Sequence, residues 1–241
     1  MLPQASGAFR LFRFAGIQVY VHWTWFIGAY IIYSRGAAYS SPVWQALECL
    51  TLFAIVTLHE FGHALACRSV GGTAEQIILW PLGGVAYVDP PNRPGALLWS
   101  IAAGPLVNVV LFPITLALDW WSSIHLGQRH PDLAKFIDEV YLINQALLVF
   151  NILPIYPLDG GQIFQSILWF FMRQSTSLKV ASSIGMAGAA ALMVFAFFNG
   201  SMWLVVMGIF LLQRAMLGFR YARYMDRPVS EEGGPPPLPR E

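Results

Sequence analysis

His59, Glu60 and His63 are the residues of this chain whose types and spacing point most directly to chemistry. They stand as His59-Glu60-Phe61-Gly62-His63, the order H-E-x-x-H. On a helix, residues four apart lie one above the other on the same face. His59 and His63 can therefore point two imidazoles at one zinc ion. Glu60 lies beside them, where its carboxylate can take a proton from a metal-bound water. The run before the motif, Ala46 to Leu58, is apolar apart from Glu48 and two threonines. Ionisable side chains are costly in hydrocarbon and need a reason to be there. Three within one helical turn make metal chemistry inside a membrane the leading expectation.

Two histidines do not complete a catalytic zinc site, which takes three protein ligands and a water. Acids at membrane depth are few, and Asp159 is the outstanding candidate. It lies in Asn151-Ile152-Leu153-Pro154-Ile155-Tyr156-Pro157-Leu158-Asp159-Gly160-Gly161, where two prolines and two glycines break a helix. Broken backbone at membrane depth is tolerated where it lines a cavity or is buried in protein. A plainer role for Asp159 is to cap the helical segment starting at Gly160.

The elements that must position these residues follow from composition. The chain is 56% hydrophobic and 11% charged, against roughly 25% charged for a soluble domain, and its mean hydropathy is +0.56. The expected fold is an all-α polytopic membrane protein of about six transmembrane helices. The spans run at about 14–33, 44–67, 96–118, 140–171 (interrupted at Pro154 and Pro157), 180–198 and 202–217. Residues 1–13 form a cytoplasmic N-terminus, 14–217 the six-helix core, and 218–241 a cytoplasmic Pro-rich tail whose composition suits disorder. With both termini in the cytoplasm, most arginines and lysines fall inside and only Arg35, Arg129 and Lys135 fall outside, a strong positive-inside bias. No basic cluster with interleaved aromatics appears, so nucleic acid is not an expected partner. Cys49 and Cys67 stand about 27 Å apart along one helix, beyond disulfide reach.

Between the second and third spans, Gln76 to Trp80 and Gly83 to Val88 read as two short strands around a Pro/Gly turn. They predict a small membrane-associated β-hairpin whose free edge near Gly83 and Gly84 could hold an extended peptide by β-augmentation. An ordinary amphipathic loop fits the same pattern.

These motifs together resemble the site-2 protease family of intramembrane zinc metalloproteases, peptidase family M50. The resemblance is carried by H-E-F-G-H, by Gly104-Pro105-Leu106-Val107-Asn108, and by the N-x-x-P-x-x-P-L-D-G stretch from Asn151 to Gly160. Val21-His22-Trp23 and Pro81-Leu82-Gly83-Gly84 are also similar to that family. It implies one zinc ion held by His59, His63 and Asp159, and Glu60 as the catalytic base. Asn108 and Asn151 would hydrogen-bond a substrate carbonyl or a ligand, or serve as interhelical hydrogen-bonding residues. His22 is expected to have an indirect role at a water channel or behind a ligand. Where many members have an arginine after Asp-Gly-Gly, this chain has Gln162. No PDZ or CBS domain is expected, leaving a minimal core.

The function expected is cleavage of peptide bonds within or near transmembrane segments of substrate proteins, in a prokaryotic plasma membrane, with lipid and a possible regulatory membrane protein as partners. The competing reading is a zinc-binding transporter or scaffold. Such a protein needs metal ligands but no adjacent general base, so Glu60 counts against it.

Overall fold

A computed structural model describes residues 7–34, 39–80, 83–127 and 129–226. The chain forms two compact units, Met1–Ile152 and Leu153–Glu241. The first contains strands β1 (Ala8–Phe14) and β2 (Ile17–His22), helices α1 (Trp25–Ser34) and α2 (Pro42–Ser69), strands β3 (Thr73–Trp80) and β4 (Gly83–Asp89), and helices α3 (Pro94–His125) and α4 (Pro131–Ile152). The second contains α5 (Asp159–Trp169), α6 (Gln174–Phe198) and α7 (Met202–Met225).

Helices α2, α3, α6 and α7 are long and apolar enough to cross a membrane. The chain is an integral membrane protein. The 28 residues of α2 make about 42 Å of helix at 1.5 Å per residue, more than the roughly 30 Å of hydrocarbon to be spanned. Its start is locally encoded: Ser41 caps it, accepting from the Val43 N–H at 3.4 Å, and Pro42 takes the first helical turn, where a missing N–H costs nothing. Helix α4 opens with Asp132, Lys135, Asp138 and Glu139. The chain then breaks at 153–158, around Pro154 and Pro157, and resumes as α5.

The region expected to be the first span is not one helix. Ile17–His22 is a strand, and helix begins only at Trp25. The reason is readable afterwards: Ile17, Val19 and Val21 alternate with Gln18, Tyr20 and His22, a period of two that suits a strand and not a helix. The expected hairpin is β3–β4, but it does not stand alone. It is half of a four-stranded sheet ordered β1-β2-β3-β4, in which β2 and β3 run parallel and the outer pairs antiparallel. Pro81, Leu82 and most of the Pro-rich tail lie outside the described residues.

One face of this sheet packs on the motif helix. Ile17, Val19, Val21, Ala74, Ile77 and Leu79 form a buried cluster with Phe61 and Ala64 of α2. Burying a large aliphatic side chain fully is worth about 1.5–3 kcal/mol. The sheet is thereby held in a set register against the turn of α2 that carries His59, Glu60 and His63.

Candidate active site

The two motif histidines are buried and oriented from behind. His59 Nδ1 lies 2.7 Å from Asn108 Oδ1 on α3, and His63 Nδ1 lies 2.9 Å from the Ser100 carbonyl oxygen on the same helix. A carbonyl oxygen only accepts, so His63 Nδ1 carries its proton. Asn108 Nδ2 donates to Asn144 Oδ1 on α4 at 2.8 Å, and Asn144 Nδ2 donates to the Asn108 carbonyl at 3.1 Å. Those bonds orient Asn108 Oδ1 toward His59, whose Nδ1 is likewise the donor. Both rings then present an Nε2 lone pair, and the two Nε2 atoms face each other at 3.1 Å. Two lone pairs turned toward one point suit a cation shared between them. A protein group behind Nδ1 is the usual support of a metal-binding imidazole.

Two glycines make room for this arrangement. A Cβ on Gly104 of α3 would lie 2.2 Å from His63 Nε2 and 2.8 Å from His59 Nε2. One on Gly62 would lie 2.6 Å from the Ala103 carbonyl oxygen. Helices α2 and α3 therefore approach through small residues, a packing mode common between membrane helices. The close approach is what lets the Ser100 carbonyl and the Asn108 amide reach the imidazoles.

Glu60 is turned toward the sheet. Its Oε2 accepts from the Ala86 N–H of β4 at 2.9 Å, and a Cβ on Gly84 would come within 2.4–2.7 Å of its side chain. Gly84 is thus a clearance for the glutamate. Gly83 has φ +139, a backbone region that suits glycine. Strand β4 is the sheet edge, and one of its N–H groups is engaged by Glu60.

Asp159 lies in the second unit, buried in the first turn of α5. The residue in the capping position is Leu158, so Asp159 is within the helix and does not cap it as the plainer reading had it. A carboxylate in the first turn is favoured by the helix dipole. The segment before it is seated on α6 and α7 through glycines. Cβ atoms at Gly161, Gly185 and Gly218 would meet Tyr156 at 2.2, 2.3 and 2.6 Å, and one at Gly188 would meet Ile155 at 2.7 Å. Gln162 Nε2 donates to the Pro157 carbonyl at 2.9 Å, so the residue that departs from the family pattern closes this loop.

His59 and His63 offer two imidazole nitrogens and Asp159 a carboxylate oxygen, donor types that suit a metal ion. That set is the usual one for hydrolytic zinc. Residues 48–121 and 123–195 match the model of peptidase family M50. The chain belongs to peptidase family M50. A zinc metalloprotease of Methanocaldococcus jannaschii is 31% identical over 201 residues, covering 83% of this chain and 57% of that relative. Stage IV sporulation protein FB of Bacillus subtilis is 36% identical over 121 residues, 49% of this chain and 38% of that protein. The solved site-2 protease from Methanocaldococcus jannaschii superposes with a TM-score of 0.64 at 27% identity, over 94% of this chain and 98% of that one. The chain spans about half the length of such curated relatives.

Two other expected residues of this M50 chain are His22 and Asn151. His22 sits on β2, on the sheet face opposite α2. Its Nδ1 bonds Thr24 Oγ1 at 2.6 Å, and its ring stacks on Trp80 with 4.0 Å between centroids. Asn151 is half-buried at the end of α4. Three contributors were not expected from the sequence: Asn144, the Ser100 carbonyl and the clearance at Gly104. Asn144 is tied to His59 through its pairing with Asn108. Replacing Asn144 with alanine strips Asn108 of its anchor. The expected result is a zinc affinity lower by about 10–100-fold, read by competition with a chromophoric chelator.

Proposed function

We propose that this chain is an intramembrane zinc endopeptidase that hydrolyses peptide bonds within or near transmembrane segments of substrate proteins. In this reading His59, His63 and Asp159 hold one zinc ion and Glu60 is the general base. The observation that carries it is the two Nε2 atoms 3.1 Å apart, each imidazole held at Nδ1 from α3, with Glu60 next to His59 in the chain. When bound, zinc supplies Lewis acidity and a water acidified to a pKa of about 7.

The chain's own residues do the rest. Glu60 receives a proton from the attacking water and delivers it to the leaving amine. The Ala86 N–H holds the carboxylate in place meanwhile. Asn108 and the Ser100 carbonyl keep both rings in the metal-binding tautomer. The edge of β4 at Gly83 and Gly84 is the candidate support for a substrate unwound from its helix. A helical peptide bond is shielded by its own hydrogen bonds, so unwinding must precede cleavage. Asn151 is a candidate contact to the substrate carbonyl, and His22 a residue behind the sheet on a water path. We place both termini in the cytoplasm of a prokaryotic cell, with α2, α3, α6 and α7 crossing its plasma membrane, the broken pair α4–α5 as a further membrane element, and α1, at 10 residues, too short to cross alone.

The reading is tested by purifying the chain in mild detergent, measuring bound zinc, and assaying a transmembrane reporter carrying a helix-destabilising pair. About one zinc per chain and reporter cleavage are expected. His59→Ala or Asp159→Ala should lose both. A chain that holds no zinc after refilling with the metal overturns it.

The seat of the broken segment gives a separate expectation. Gly218→Ala puts a methyl group into the Tyr156 ring, and Gly185→Ala one onto the Tyr156 carbonyl. Overpacking of this kind costs about 1–3 kcal/mol. Both variants should lower the melting temperature by several degrees. They should also weaken zinc retention more than a matched Gly127→Ala change, whose nearest neighbour is 3.6 Å away.

A further inference from the structure

Strand β1 is amphipathic in a way its sequence hides. Ala-Phe-Arg-Leu-Phe-Arg-Phe has no steady period of two, but its ladder with β2 is irregular between Arg10 and Phe12. Residues directly opposite in an antiparallel pair project to the same face. Phe9, Phe12 and Phe14 stand opposite Val21, Val19 and Ile17, whose side chains face α2. Arg10 and Arg13 stand opposite Tyr20 and Gln18 on the other face. The extra residue at the bulge, Leu11, is what puts three phenylalanines on one face and two arginines on the other.

The aliphatic residues of β2 are covered by α2, but the phenylalanines beside them are not. Phe9, Phe12 and Phe14 are 58%, 43% and 63% exposed. Phe14 meets Phe61 of α2 edge-on at 5.6 Å. Between β1 and the helices runs an apolar groove of about 620 Å³, lined among others by Phe12, Phe14, Phe53, Leu58, Leu65 and Val107.

Two further observations favour a rim at the depth of lipid headgroups. Strand β1 is the first in the sheet, so among the described residues its outer backbone edge has no strand partner. Such groups cannot remain in hydrocarbon. A third guanidinium, Arg68, donates to the Ala15 and Gly16 carbonyls at the β1–β2 turn. Lys179 pairs with Asp226, whereas among the described residues no ion pair joins a carboxylate to Arg10 or Arg13.

We propose that the groove beneath β1 is a binding site for an anionic phospholipid, with an acyl chain between Phe12, Phe14 and α2 and the phosphate held by Arg10 and Arg13. Arginine stems are long enough to carry their charge round the free edge of one strand. Charge decides the occupant. An apolar groove alone accepts any acyl chain or helix, whereas unneutralised cations on the strand that closes it select an anion at headgroup depth.

The test titrates the full-length, zinc-loaded chain in neutral detergent with phosphatidylglycerol or phosphatidylcholine and counts bound lipid by native mass spectrometry. Phosphatidylglycerol is expected to bind about tenfold more tightly than phosphatidylcholine. That ratio should fall to about one in the double variant Arg10→Gln, Arg13→Gln and persist in Arg10→Lys, Arg13→Lys. Ala54→Trp, which fills the groove from an exposed position on α2, should abolish tight binding of both lipids. Zinc content and reporter cleavage in neutral detergent are followed in parallel, so failure here is separable from failure of the protease reading. A ratio of one in the native chain overturns the proposal. So does a ratio that the glutamine pair leaves intact, or phosphatidylglycerol binding that survives Ala54→Trp.

Discussion

Glu60→Gln is expected to retain one zinc per chain and to lose cleavage of a transmembrane reporter by about 10²–10⁴-fold, the range for removing a positioned acid–base group. Glutamine keeps the shape of the side chain and an oxygen to accept from the Ala86 N–H, so the 2.9 Å tie between α2 and β4 survives. What disappears is the ability to take up a proton. The bonds that hold His59 and His63 to Asn108 and the Ser100 carbonyl are left in place. Metal content and turnover therefore separate in this variant. If they do not, with zinc unchanged and turnover within a few-fold of native, the base is another residue. This variant also tells a protease from a transporter, because zinc-binding transport has no use for the carboxylate beside the ligands.

The second large effect comes from a residue with no functional group. Gly104→Ala is expected to reduce zinc affinity by 100-fold or more and to take reporter cleavage with it, while the helical circular-dichroism spectrum and the elution volume stay native. The added methyl would lie 2.2 Å from His63 Nε2 and 2.8 Å from His59 Nε2, on the side from which the two rings present their lone pairs. Neither ring can turn away without breaking its Nδ1 hydrogen bond. Nor can α3 back off freely, because that would separate Ser100 and Asn108 from α2. A native zinc affinity in this variant would mean that the rings and helices relax at little cost, and the clearance argument would fail.

Much of the site was legible because it is local. The two histidines and the glutamate are related by one helical turn, and helix geometry places them whatever surrounds them. The broken segment before Asp159 is likewise written in Pro154, Pro157, Gly160 and Gly161, residues that stop or loosen a helix by their own covalent structure. The hairpin β3–β4 could be read from its Pro/Gly turn. The first span was misread because apolar content was weighed over period. Ile17–His22 is apolar enough for a membrane segment, but its alternation belongs to a strand. Its pairing partner in the sheet, β3, lies more than fifty residues further on.

Composition and short spacing alone were enough to indicate a membrane-embedded chain with a histidine pair, a neighbouring glutamate and an acid at a helix break. Only the tertiary structure decided which nitrogen of each histidine faces the metal position. That choice rests on Asn108, Asn144 and Ser100, which lie on two other helices 36 to 49 residues away from their partners. It also decided that Gly104 and Gly84 are clearances for His63 and Glu60, and that a bulge divides β1 into aromatic and cationic faces. Each of these is a contact between residues far apart in the chain, and no local pattern of side chains encodes such a contact until the helices and the sheet have packed.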